Sequence, residues 1–115
     1  MTTDAPIRIA LADDAVLLRE ALASALSAAG FTVVGQSSDV PGLESLIERT
    51  DPDVVVVDVR MPPTFTTEGL EAARRIRATR PHIGILVLSQ IVETRYAVDL
   101  LRDDPAGIGY LLKDR

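Results

Sequence analysis

Five side chains stand where short apolar runs end. Asp13 and Asp14 follow the run at 7–11, Asp58 follows the four valines at 54–57, Ser89 follows 83–88, and Lys113 follows 108–112. If those runs are parallel strands of one sheet, the residues after them gather at its carboxyl edge, where open α/β sheets place their ligand crevice. Three carboxylates, a hydroxyl and an amine would then share one site. Like charges about 4 Å apart at an effective dielectric near 20 cost on the order of 4 kcal/mol per pair, so such a cluster calls for a cation or for protonation. Oxygen-only donors suit Mg²⁺ with retained waters. A metal, an amine and a hydroxyl around one carboxylate can receive a tetrahedral anionic group, which is the equipment for phosphoryl transfer to an aspartate.

Each residue alone has a plainer reading. Asp14 can cap the first helix, Asp58 can be a loop acid, Ser89 can cap the helix after it, Lys113 can be a solvated lysine, and Tyr110 can be a packing residue. What separates the readings is joint occurrence, in order, at one edge. Asp51 and Asp53 precede the third strand and so belong to the opposite edge, where nothing comparable is expected to gather. His82, at the entrance to the fourth strand, falls on that same wrong edge and receives no role. Asp103 and Asp104 before Pro105 read as a helix stop.

The elements that must position these residues follow from periodicity. Leu18, Leu22 and Leu26 recur at helical spacing beside Ala21 and Ala25, and Gly30 stands where a helix C-terminus needs one. Residues 31–35 form the second strand. Asp39 can cap a second helix whose apolar face is Leu43, Leu46 and Ile47. The valine run suits a strand covered on both faces. Met61-Pro62-Pro63 cannot begin a regular helix, so 59–67 is a loop. Residues 68–79 form a third helix with Leu70, Ala73 and Ile76 inward, stopped at Arg80-Pro81. A fourth helix spans 91–101, with Tyr96, Ala97, Leu100 and Leu101 on its apolar side, and 108–112 is the fifth strand. Strand alternating with helix predicts an α/β fold: a flavodoxin-like, doubly wound five-stranded parallel sheet in the order 2-1-3-4-5.

Composition bounds the function. The chain has 115 residues, enough for one domain, with 47% hydrophobic, 25% charged and only 3% aromatic residues, so aliphatic side chains must fill the core. Absence of cysteine excludes disulfides and thiolate chemistry. A net charge of −5 makes the domain a poor nucleic-acid binder on its own. No membrane-spanning run or signal peptide is found, so a cytoplasmic location and no membrane partner are expected.

These motifs resemble the receiver domain of two-component response regulators over 7–115. The resemblance rests on Asp13-Asp14, Asp58-Val59-Arg60-Met61-Pro62, Ser89 and Gly109-Tyr110-Leu111-Leu112-Lys113-Asp114. The second and last strings are most similar to receivers that precede a LuxR-type helix-turn-helix output domain. The resemblance implies that Asp58 accepts a phosphoryl group from a sensor histidine kinase. It implies that Asp13, Asp14, Asp58 and the Arg60 backbone carbonyl hold Mg²⁺. Ser89 and Lys113 would contact the phosphoryl group, and Tyr110 would be the switch aromatic that follows Ser89. It further implies a homodimer, DNA contact only through an output domain absent from this chain, and self-phosphorylation and self-dephosphorylation rather than enzymatic turnover. The alternative is a phosphorylation-independent dimerisation module. A small enzyme or flavin protein on the same fold is disfavoured, because no glycine-rich phosphate loop follows the first strand.

Three features depart from the family pattern. Gly69 lies seven residues after Pro62, so residues 63–67 lengthen the loop beside Asp58. The stretch 103–107 is longer than usual. Gln90 and Arg60 are bulky neighbours of the site. The family's fifth helix is also missing from this sequence, which predicts a domain one helix short, with an apolar face along helix 1 and strands 1 and 5 that seeks a partner.

Overall fold

A computed structural model describes residues 5–64, 66–89 and 108–112, the side chains of 89, 108 and 110–112 excepted. Eight elements run β1 (Arg8–Ala12), α1 (Val16–Ala28), β2 (Thr32–Ser37), α2 (Val40–Thr50), β3 (Val54–Asp58), α3 (Glu68–Thr79), β4 (Gly84–Ser89) and β5 (Ile108–Leu112). The five strands form one parallel sheet in the order β2-β1-β3-β4-β5, as the alternation of elements predicts. The expected fourth helix at 91–101, its stop at Asp103-Asp104, Gln90 and Lys113 lie outside the described residues.

Local signals set most boundaries. The Asp39 carboxylate accepts a 2.7 Å hydrogen bond from the Gly42 amide, and Pro41 occupies the first turn of α2, where its missing N–H is no loss. Gly30 adopts φ +100° just beyond α1, the left-handed conformation expected after a helix C-cap. Glu68 and Glu71 stand in the first turn of α3 and Arg77 in its last, in accord with the helix dipole. Strands β1, β2 and β4 begin one residue later than apolar character alone suggests. Pairing decides this: Ala12 still pairs with Ser37 and Val57, so β1 runs on to Ala12.

Strand alternation divides the core between the two faces of the sheet. Ala10, Ala12, Val55, Val57, Ile85 and Val87 pack on the side of α2 and α3 with Leu43, Ile47, Leu70 and Ile76. Ile9, Leu11, Val56 and Leu88 pack on the other side with half-buried Leu22, Ala23 and Leu26 of α1. Among the described residues that second layer has fewer buried members, and no residue of α1 is fully buried. Leu17, at the start of the helix, is 85% exposed.

Candidate functional site

The carboxyl ends of β1 and β3 lie side by side, because Ala12 pairs with Val57. Asp13 follows the first strand and Asp58 ends the second, and both are buried, at 1% and 4% exposure. Asp14 sits nearer solvent. Each of the three offers a carboxylate oxygen, and those oxygens all lie within 4.8 Å of one another. Adjacent residues on a strand point to opposite faces, so Asp13 and Asp14 converge only because the chain leaves extended geometry after Ala12. The turn is held at several atoms. The Asp13 amide donates to the Ser37 carbonyl at 3.0 Å, and the Asp13 Oδ1 accepts from the Ala15 amide at 2.9 Å. Ala15 is thus the N-terminal flank of α1 and has no side-chain cap, so the reading of Asp14 as that cap is set aside.

On the Asp58 side the loop turns straight back to the sheet. The Val59 amide donates to the Leu88 carbonyl at 2.9 Å, and the Gly69 amide donates to the Val59 carbonyl at 2.9 Å. Val59 and Met61 are fully buried in the core while Arg60 between them is exposed, so this part of the loop keeps strand-like alternation. Gly69 is required by space. A β-carbon there would lie 1.6 Å from the Asp58 carbonyl oxygen. The lengthened part of the loop is gathered by one carboxylate. Glu68 accepts from the Thr64 amide at 2.9 Å, from the Thr66 amide at 3.1 Å and from the Thr64 hydroxyl. The Thr64 hydroxyl, with these backbone N–H groups, holds the Glu68 carboxyl down to about 2.

The other expected residues fall as follows. Ser89 is the last residue of β4, one step beyond Leu88, which pairs with Asp58. Tyr110 lies within β5 in register with Val87. Three residues that contact the loops of the site carried no role in the expectations from sequence: Arg19, Gly69 and Glu68. Of these, Arg19 had a usable signal, since the first turn of a helix passes over the loop that precedes it. Its guanidinium donates to the Asp13 carbonyl at 2.8 Å and to the Gln36 side-chain oxygen at 3.0 Å.

The opposite edge, where the sequence puts His82, Asp51 and Asp53, has contacts of its own. His82 Nε2 lies 2.9 Å from Asp51 Oδ1, and Arg80 Nη1 lies 3.9 Å from the same oxygen. Arg8 donates from Nη1 to the Asp51 carbonyl at 3.0 Å and from its amide to Asp53 Oδ2 at 2.9 Å. His82 first, then Arg80 and Arg8, hold the Asp51 carboxyl below its ordinary value. Both signs of charge are balanced there and the groups are exposed, so this is a clasp tying β1 to the turns before β3 and β4.

At the carboxyl edge, by contrast, the described residues gather the carboxylates of Asp13, Asp14 and Asp58. Its donors are hard carboxylate oxygens without nitrogen or sulfur, a set that fits Mg²⁺.

Comparison with known proteins agrees with this geometry. Residues 9–114 match the response regulator receiver domain. The transcriptional regulatory protein YxjL of Bacillus subtilis is 37% identical over 109 residues, covering 94% of this chain and 48% of that protein. The transcriptional regulatory protein PdtaR of Mycobacterium tuberculosis is 35% identical over 116 residues, covering 97% of the chain and 54% of that protein. The chain thus spans about half the length of these curated relatives. Among solved structures, a LuxR-family two-component response regulator from Aurantimonas sp. superposes with a TM-score of 0.81 at 28% identity, covering 96% of this chain and 76% of that one.

Proposed function

The chain belongs to the response regulator receiver-domain family, and from that premise we propose that it is a phosphorylation-dependent switch whose acceptor is Asp58. The observation that carries the assignment is the convergence of the Asp13, Asp14 and Asp58 carboxylate oxygens within 4.8 Å at the carboxyl edge of the sheet. A balanced or purely structural edge has no use for three like charges, which also disfavours a phosphorylation-independent dimerisation module.

In the proposed reaction an Asp58 carboxylate oxygen attacks the phosphorus of a phosphohistidine on a sensor kinase. The new O–P bond makes an acyl phosphate, the N–P bond breaks, and the leaving imidazole nitrogen takes up a proton. Asp13, Asp14, Asp58 and the Arg60 backbone carbonyl would hold Mg²⁺, whose charge offsets that of the carboxylates and of the incoming phosphoryl group. Ser89 donates a hydrogen bond to the phosphoryl group, Lys113 pairs with another of its oxygens, and Tyr110 moves as Ser89 is recruited. The output is transcriptional, delivered by a DNA-binding domain in a homodimeric regulator. The supporting facts are that YxjL and PdtaR are transcriptional regulatory proteins about twice this length.

The test is incubation with Mg²⁺ and acetyl phosphate followed by intact mass. One phosphoryl adduct is expected on the wild type and none on Asp58→Asn. No adduct under conditions that label an active receiver would refute the proposal.

A further inference from the structure

Arg19 sits where a cation does a helix no good. It closes the first turn of α1, its amide donating to the Ala15 carbonyl at 2.9 Å, and positive charge near a helix N-terminus opposes the macrodipole. Its side chain turns back over the preceding loop. Nη1 donates to the Asp13 carbonyl at 2.8 Å, and Nε donates to the Gln36 side-chain oxygen at 3.0 Å. Gln36 is on β2, in register with Leu11 of β1, so the guanidinium is braced against the sheet.

The carbonyl that Arg19 grips belongs to the peptide joining Asp13 to Asp14. The two dihedrals that flank this peptide, ψ of Asp13 and φ of Asp14, set whether the neighbouring acids diverge, as on a strand, or face Asp58 together, and anchoring the carbonyl between them restrains both. We infer that Arg19 is a positioning residue for the metal site: it fixes the Asp13–Asp14 peptide so that both carboxylates are ready to hold a divalent cation with Asp58. The inference rests on the reading of this cluster as an Mg²⁺ site and adds to it a residue outside the cluster. Arg19 reaches the ion through the peptide and not by touching it. Its positive charge by itself would weaken cation binding, so the positioning and charge effects carry opposite signs and can be told apart.

The experiment is calorimetric titration of the chain with Mg²⁺, paired with acetyl phosphate labelling across Mg²⁺ concentrations and with thermal melting. Arg19→Met is expected to weaken Mg²⁺ binding about tenfold, the scale of a lost charge-assisted hydrogen bond. The half-saturating Mg²⁺ concentration for labelling should rise by the same factor, while the rate at saturating Mg²⁺ stays near wild type. Gln36→Leu removes only the brace and should shift the affinity in the same direction by a smaller factor. Arg19→Lys, with one compact donor group in place of the fork, should fall between wild type and Arg19→Met. Wild-type or tighter Mg²⁺ affinity in a folded Arg19→Met overturns the inference. If Arg19→Met does not fold, wild-type affinity in both Gln36→Leu and Arg19→Lys overturns it. A wild-type chain that takes no Mg²⁺ overturns the site reading itself and this inference with it.

Discussion

Replacing Gly69 with alanine puts the packing beside the phosphoacceptor to a direct test. Glycine-to-alanine changes inside helices ordinarily stabilise by about 1 kcal/mol, because alanine has the better helix propensity. Here the new methyl would sit 1.6 Å from the Asp58 carbonyl oxygen, 2.7 Å from its carbon and 3.0 Å from the Val59 carbonyl oxygen. These are backbone atoms of β3 and its exit, held in the sheet, so no side chain can swing away. To reach even a 3.0 Å contact the start of α3 must retreat by about 1.4 Å, which breaks the 2.9 Å bond from the Gly69 amide to Val59. Overpacking of this kind costs about 1–3 kcal/mol and the lost hydrogen bond about 1 kcal/mol. Set against the propensity gain, the expected net is destabilisation of about 1–3 kcal/mol, or roughly 4–12 °C in melting temperature for a domain of this size. Thermal unfolding by far-ultraviolet circular dichroism reads it, and labelling by acetyl phosphate should slow as Asp58 shifts against Asp13 and Asp14. A Gly69→Ala protein as stable as the wild type, or more stable, would refute the close approach of α3 to Asp58.

Other perturbations probe the site and its supports. Asp13→Asn removes one of two buried like charges, a repulsion of at least about 3 kcal/mol at an effective dielectric near 20; melting without divalent cation should rise by several degrees, and calorimetry should show weakened Mg²⁺ binding. Glu68, held near 2 when folded against 4.5 ordinarily, adds stability that is fully present above about pH 4.5 and is lost as pH falls toward 2. The stability gap between wild type and Glu68→Gln, measured by urea unfolding at several pH values, should therefore be constant near neutrality and close over that acid window. Asp39→Ala removes the cap bond to Gly42 and should cost about 1 kcal/mol, seen as a melting temperature lower by roughly 4 °C.

Much of this molecule is legible from local pattern. The valine run marks the central strand, β5 and α3 fall at the residues expected of them, and Asp39 caps α2. The parallel order follows from alternation and crossover handedness, and it alone brings Asp13, Asp14 and Asp58 to one edge. Periodicity reads less well where burial is partial: the leucine stripe of α1 is real, yet none of those residues is fully buried. It also hides loop residues that behave as core, such as Val59 and Met61.

The sequence by itself determined the fold class, the strand order and the three acids of the site, because each depends on short-range period and on which residue leaves the end of each strand. Tertiary structure alone decided how those acids are held. Arg19 braced on Gln36, Gly69 against Asp58 and His82 beside Asp51 join residues on different elements, and the last pair is 31 positions apart. No periodicity links such partners. Whether they meet depends on how far each helix is drawn over the sheet, which is set by packing the whole core at once.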